Sequence, residues 1–262
     1  MNNAPIGVMD SGVGGLSVVC ALRDVLPHEN IVYYGDTANC PYGNKSKEEL
    51  LCLSGNMLTF LEHKGIKCLA LACNTTSALA DILRQRFHTP IISVAESAAD
   101  AIGKIGLTEV GVIATVSTAN SGIYENRIRS IAPDTRVMSV GSTQLAALVE
   151  HHSSERALLE QEVRRSLDGM LADERIKHVI LGCTHYPLIR DVFEAAYPNV
   201  HFLDPAPYQA QAVKSHLLSR KLAAEGGKPS LEIFTTGSED SFRQACTKHH
   251  LDSHYRVTVT HI

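Results

Sequence analysis

The sequence predicts an α/β protein of two pseudo-symmetric lobes, each a mostly parallel sheet flanked by helices, facing each other across a cleft that holds the active site. Three observations predict it. Short apolar runs alternate with helical patterns, and each run ends in a polar turn, which is the order of a parallel sheet wrapped by helices. One layout occurs twice: Cys68-Leu69-Ala70-Leu71-Ala72-Cys73-Asn74-Thr75 and His178-Val179-Ile180-Leu181-Gly182-Cys183-Thr184-His185 are each an apolar strand, a small residue, a cysteine and two hydrogen-bonding residues. The 262 residues, 44% hydrophobic and 20% charged, have the composition of a folded core and the length of about one to two domains.

The elements follow in order. Residues 6–9 read as a strand ending at Asp10-Ser11-Gly12, with a helix over 16–26. Residues 30–34 form the next strand and end at Gly35-Asp36-Thr37; 47–65 are helical. A strand over 66–72 ends at Cys73-Asn74-Thr75, before a helix over 77–87 and an apolar run over 91–94. Ligands in such sheets collect at the carboxyl ends of strands, so these three polar turns are expected to converge.

The cycle restarts with a strand over 109–114 and a helix over 120–131, then a strand over 136–140 and an amphipathic helix over 155–172. The strand over 178–182 ends at Cys183-Thr184-His185, and another helix follows Tyr186-Pro187. Asp204-Pro205-Ala206-Pro207 reads as a crossing between lobes, 209–224 as a helix, and Gly226-Gly227 with Pro229 as a turn. The alternating stretches 231–236 and 255–260 read as strands added to the first lobe. The expected division is therefore 1–95 with 206–262, carrying Cys73, and 96–205, carrying Cys183.

Lys and Arg number 24 against 28 Asp and Glu, a formal charge of -4 that argues against coating nucleic acid or acidic lipid. No basic segment precedes a sustained apolar one at the start, and no 18-residue apolar run occurs, so neither a leader nor a membrane span is expected. Seven cysteines, odd in number and irregularly spaced, fit reduced thiols in the cytoplasm better than a disulfide framework.

Cys20, Cys52, Cys68 and Cys246 read as small buried hydrophobes, and Cys40, in a polar turn before Pro41, as more exposed. Cys73 and Cys183 differ, because each leaves a strand end where free N–H groups and a positive helix end would lower a thiol pKa. Two such thiols have three uses. Disulfide redox chemistry lacks a Cys-x-x-Cys motif, and zinc would find only Cys73, Cys183 and His185. Proton transfer at carbon, one thiolate removing a proton from one face while a thiol delivers one to the other, inverts a stereocentre without a cofactor. The Gly12-x-Gly14-Gly15 run is a weak dinucleotide motif, since Ser17 takes the third glycine position and Asp10 would oppose a pyrophosphate. Ser11, Asn74, Thr75 and Thr184 suit carboxylate binding at helix N-termini. Asp10 suits a substrate ammonium or a helix N-cap, and His185 suits assistance to a thiol or a structural hydrogen bond. His151-His152 and His249-His250 read as solvated surface, and the Glu155-rich stretch as an exposed helix face.

The segments IGVMDSGVGGLSV, YYGDTANCPYGNKS, LACNTTSAL and LGCTHYPL, in order over residues 6–189, resemble the signature segments of the glutamate racemases, of the cofactor-independent aspartate/glutamate racemase superfamily. The resemblance implies that Cys73 acts on D-glutamate and Cys183 on L-glutamate as opposed acid and base. It further implies substrate contacts at Asp10, Ser11, Tyr42, Gly43, Asn74, Thr75, Thr184 and His185. It implies no cofactor and no metal, a cytoplasmic homodimer without direct nucleic-acid or membrane binding, and D-glutamate supplied for peptidoglycan. An aspartate or broad-specificity acidic amino-acid racemase, a decarboxylase of the same superfamily, and a non-catalytic regulatory protein are the rivals. The chain departs from the family pattern at Asn39-Cys40, where an Arg is usual, at Ala114-Thr115, and at 142–150, which keeps the Leu148-Val149-Glu150 ending and lacks the proline-containing start.

Overall fold

A computed structural model describes residues 3–248, 251 and 255–260. It comprises two compact units, Met1–Val94 with Ala206–Ile262, and Ala95–Pro205. The expected pair at His249-His250 lies outside the described residues.

The first unit opens with β1 (Ile6–Asp10), α1 (Leu16–Val25), β2 (Ile31–Gly35), α2 (Lys47–His63), β3 (Cys68–Leu71), α3 (Asn74–Ser77), α4 (Ala80–Arg86) and β4 (Ile91–Ser93). All five residues of β1 and of β2 are buried, as expected of central parallel strands covered on both faces. A capping box starts α2: Ser46 Oγ accepts the Glu49 N–H, and the Glu49 carboxylate accepts the Ser46 N–H.

The second unit contains α5 (Val94–Ile105), β5 (Glu109–Thr115), α6 (Val116–Ser121), α7 (Ile123–Ile131), β6 (Arg136–Ser142), α8 (Leu145–His151), α9 (Arg156–Leu171), β7 (His178–Gly182), α10 (Arg190–Ala196) and β8 (His201–Leu203). Its four parallel strands run in the order β6-β5-β7-β8. Ile113, Val179 and Leu181 pack against Leu159, Val163 and Leu167 of α9 and Phe193 of α10.

The chain then returns to the first unit with α11 (Ala206–Ser219), β9 (Leu231–Thr235), α12 (Glu239–Lys248) and β10 (Tyr255–Val259). Its sheet is all parallel, in the order β10-β9-β2-β1-β3-β4. One face carries Ile6, Val8 and Tyr33 against Leu22 of α1, Val213 of α11 and Phe242 of α12. The other carries Met9, Leu69 and Leu71 against Leu58 of α2 and Leu83 of α4. The period of two along each strand divides the core this way.

Two expected helices are broken. The 77–87 helix is α3 and α4, separated at Ala78-Leu79, and the 120–131 helix is α6 and α7, joined through Gly122 at φ 66, a left-handed conformation that glycine adopts freely. Four elements had no counterpart in the sequence reading: α5, α8, β8 and α12. No helix among the described residues is long and apolar enough to cross a membrane.

Candidate active site

In the first unit the carboxyl ends of β1, β2 and β3 lie side by side, because these strands are neighbours in one parallel sheet. Past β1 the chain turns sharply, and Asp10 Oδ2 closes the turn by accepting the N–H of Gly12 at 3.2 Å and of Gly15 at 3.0 Å. The Tyr33 hydroxyl donates to the Gly12 carbonyl at 2.6 Å. A Cβ on Gly15 would lie 2.6 Å from the Asp10 Cβ, and one on Gly35 would lie 2.5 Å from the Gly12 carbonyl oxygen. The glycines of this loop therefore serve close backbone approach around a buried carboxylate, not a nucleotide phosphate. Gly15 itself caps α1, so Asp10 closes the loop without being the N-cap residue.

Cys73 follows β3 and is buried, with its thiol 3.8 Å from Ser11 Oγ. Its carbonyl accepts the hydroxyls of Thr76 and Ser77. Burial, and then the Asp10 carboxylate, push the Cys73 thiol up to about 11. This corrects the expectation of a thiol lowered by a helix N-terminus: α3 is a single turn, and desolvation next to a negative charge outweighs its small dipole. Asn74 and Thr75 are buried directly after it.

Asp36, at the end of β2, is a hub. It accepts the Tyr42 hydroxyl at 2.6 Å, the Thr236 hydroxyl at 2.6 Å and the Asn39 amide at 3.0 Å. Thr236 Oγ1 also accepts the Ala38 N–H, and Thr37 pairs with Thr235. These bonds fix the turns Thr37–Asn39 and Tyr42–Asn44, so Tyr42 is buried with its hydroxyl held by a carboxylate, while Gly43 is half-buried beside it. Asn39, standing where the family pattern has Arg, is part of the hub. Thr236 was not singled out as a site residue in the sequence, where it ends the strand read over 231–236.

In the second unit Cys183, Thr184 and His185 follow β7 and are all buried. His185 Nδ1 lies 3.7 Å from the Cys183 sulfur, and Nε2 lies 2.6 Å from Glu150 Oε2. With a carboxylate on one ring nitrogen and a thiol at the other, the imidazole is placed where it can pass a proton to or from the sulfur, and the carboxylate fixes the ring's orientation. Glu150 was not singled out as a site residue, and its signal was the retained Leu148-Val149-Glu150 ending. The expected carboxylate-binding helix N-terminus is here only the 3-10 turn Tyr186–Ile189.

Asp10, Ser11, Tyr42, Gly43, Cys73, Asn74 and Thr75 thus belong to the first unit, and Cys183, Thr184 and His185 to the second. Cys68 and Cys246 are buried as expected, Cys20 and Cys40 are half-buried, and Cys52 is exposed, against expectation, because it faces outward from α2.

Each of the two α/β units holds a buried strand-end thiol beside an ionisable side chain, and comparison with known proteins gives the class. The sequence pattern of the Asp/Glu/Hydantoin racemase family matches residues 8–213, and the chain belongs to that family. It is 38% identical to a glutamate racemase from Desulforudis audaxviator over 253 residues, 93% of this chain and 92% of that one. The crystal structure of the glutamate racemase isoform RacE1 from Bacillus anthracis matches with a TM-score of 0.93 at 33% identity, covering 100% of this chain and 99% of that one. That of the Francisella tularensis glutamate racemase, in complex with D-glutamate, matches at 0.89 and 31%, covering 100% and 98%. An aspartate racemase from Picrophilus torridus shares the fold at 19% identity, with a TM-score of 0.62 over 84% of this chain and 100% of that one. The resemblance carried by the four motifs is borne out, as is the expectation of an isomerase of the glutamate racemase type.

Proposed function

We propose that this protein interconverts L- and D-glutamate, with Cys73 and Cys183 serving the two faces of one α-carbon. The observation that carries the reading is that each strand-end thiol has its own acid–base partner, Asp10 beside Cys73 and His185 beside Cys183. From L-glutamate, the Cys183 thiolate takes the α-proton and the Cys73 thiol gives its proton to the other face, yielding D-glutamate. The sulfurs then exchange states through their partners, Asp10 and the His185–Glu150 pair, and the reverse direction uses the same steps backwards.

A thiol near 11 suits Cys73 as the waiting acid. Using it as a base at pH 7 costs about 5 kcal/mol, which donors that stabilise the transition state must offset. Ser11, Asn74, Thr75 and Thr184 are the donors for the substrate carboxylates, with Tyr42 and Gly43 closing that contact, and preorganised donors of this kind stabilise the carbanionic transition state. The reaction needs no cofactor or metal. We place the protein in the cytoplasm as a homodimer that supplies D-glutamate for peptidoglycan.

Circular dichroism of each enantiomer of glutamate and aspartate, in buffer containing a chelator and no added cofactor, tests this. Glutamate is expected to racemise from both sides, and aspartate at least about tenfold more slowly, a difference of about 1.4 kcal/mol. Glutamate left uninverted would overturn the function, and faster aspartate turnover would overturn the substrate.

A further inference from the structure

We propose that Ser142 and Glu162 are positioning residues for the proton relay of Cys183, acting through helix α8. The proposal rests on the functional reading above and adds two residues to it.

Glu150, which orients His185, sits in the last turn of α8, and α8 is only seven residues long. So short a helix has little stability of its own and takes its position from its anchors. One anchor is apolar: Leu145, Ala146 and Val149 are buried in the core of the second unit with Tyr186, the residue after His185. The other is polar and lies at the first turn. Ser142 Oγ accepts the N–H of Leu145 at 3.0 Å and of Gln144 at 3.3 Å, satisfying donors that a helix start leaves open. The same hydroxyl donates to Glu162 Oε1 at 2.6 Å.

Glu162 belongs to α9 and is 5% exposed, the buried member of a helix face that reads as solvated in the sequence. Arg165 donates to both of its oxygens, at 2.7 and 3.0 Å, and Ser166 donates at 3.4 Å. Despite burial, these bonds hold the Glu162 carboxyl below the usual carboxylate range. An ionised, fixed carboxylate therefore orients the Ser142 hydroxyl, which fixes the first turn of α8, whose last turn presents Glu150 to His185.

The test compares Ser142→Ala, Glu162→Gln and the conservative Ser142→Thr in the full-length protein. Its first readout is the ring N–H proton resonance of His185, identified by its loss in His185→Asn. A short bond to Glu150 displaces that resonance downfield. The second readout is the split between kcat and KM. Ser142→Ala and Glu162→Gln are expected to move the resonance and lower kcat about tenfold with KM within about twofold, whereas Ser142→Thr restores both. A resonance at its wild-type position in both variants, with kcat unchanged, would overturn the proposal. A general loss of folding is separated by thermal unfolding of the same samples: loss of kcat with an unmoved resonance counts against positioning. A wild-type protein without racemase activity would sink the functional reading instead, and the resonance then decides the positioning by itself.

Discussion

Cys73 and Cys183 leave parallel strands in the same way, yet their neighbours differ. Beside Cys73 stand the Ser11 hydroxyl and the Asp10 carboxylate, and burial with that negative charge keeps the proton on sulfur. Beside Cys183 stands an imidazole whose far nitrogen is held by Glu150. A carboxylate discourages a thiolate, whereas an imidazole takes up or returns a proton near neutral pH. The duplicated strand-end layout thus presents the thiols, and the loops around them give each a different neighbour: a carboxylate at Cys73 and an imidazole at Cys183.

Removing either thiol is the harshest way to break this comparison. Cys73→Ala and Cys183→Ala are each expected to lower kcat by about a thousandfold or more, measured by circular dichroism from either enantiomer. A variant that keeps a tenth of wild-type activity would remove that thiol from the chemistry.

The partners sharpen it. Asp10→Asn keeps an oxygen to accept the Gly12 and Gly15 N–H groups but removes the charge beside Cys73. Its kcat is expected to fall about a hundredfold while the Cys73 thiol titrates lower, read from the pH dependence of its alkylation rate. Glu150→Gln is expected to cost a similar factor in kcat and leave Cys73 alkylation unchanged, so the two variants separate the surroundings of the two thiols. Smaller again is Thr236→Val, which takes one of the donors from Asp36; a few-fold rise in KM through the Tyr42 turn is expected, with kcat less affected.

The gentlest probe is alkaline stability. Burial raises Cys73 to about 11 and Cys68 to about 12 from an ordinary value of 9.0. Above pH 9 the unfolded chain therefore releases protons that the folded chain retains, and folded stability declines as pH rises from 9 through 11 and 12. Urea unfolding at pH 8 and pH 10.5 should show the midpoint falling, and Cys68→Ala should flatten the fall.

All the strands but the three-residue β8, and the two cysteines, were legible because their signals are local: β-rich apolar runs ending in polar turns, and a cysteine at the same place in two of them. The helices that escaped bury few large apolar side chains. In α5 the buried face is largely alanine, Ala95, Ala98 and Ala99, and α8 and α12 have only a few buried apolar residues each. The hub at Asp36 and the pair Ser142–Glu162 join residues far apart in the chain, so only the fold shows that Thr236 reaches Asp36, or that a glutamate on a polar helix is buried. The thiol at Cys73 shows the same limit with the opposite sign: its place after a strand is readable, but its proton affinity is set by burial and Asp10.

Deuterium exchange at the α-carbon tests the central claim, that two different thiols serve the two faces. L- or D-glutamate is incubated with the enzyme in deuterated water and both enantiomers are analysed during the first few per cent of conversion. Two thiols predict deuterium in the product enantiomer and protium in the recovered substrate, in both directions, with inversion lost in Cys73→Ser and in Cys183→Ser. Deuterium entering both enantiomers equally from the first turnovers, or inversion surviving in either variant, would mean that a single base does the work, and would contradict the account.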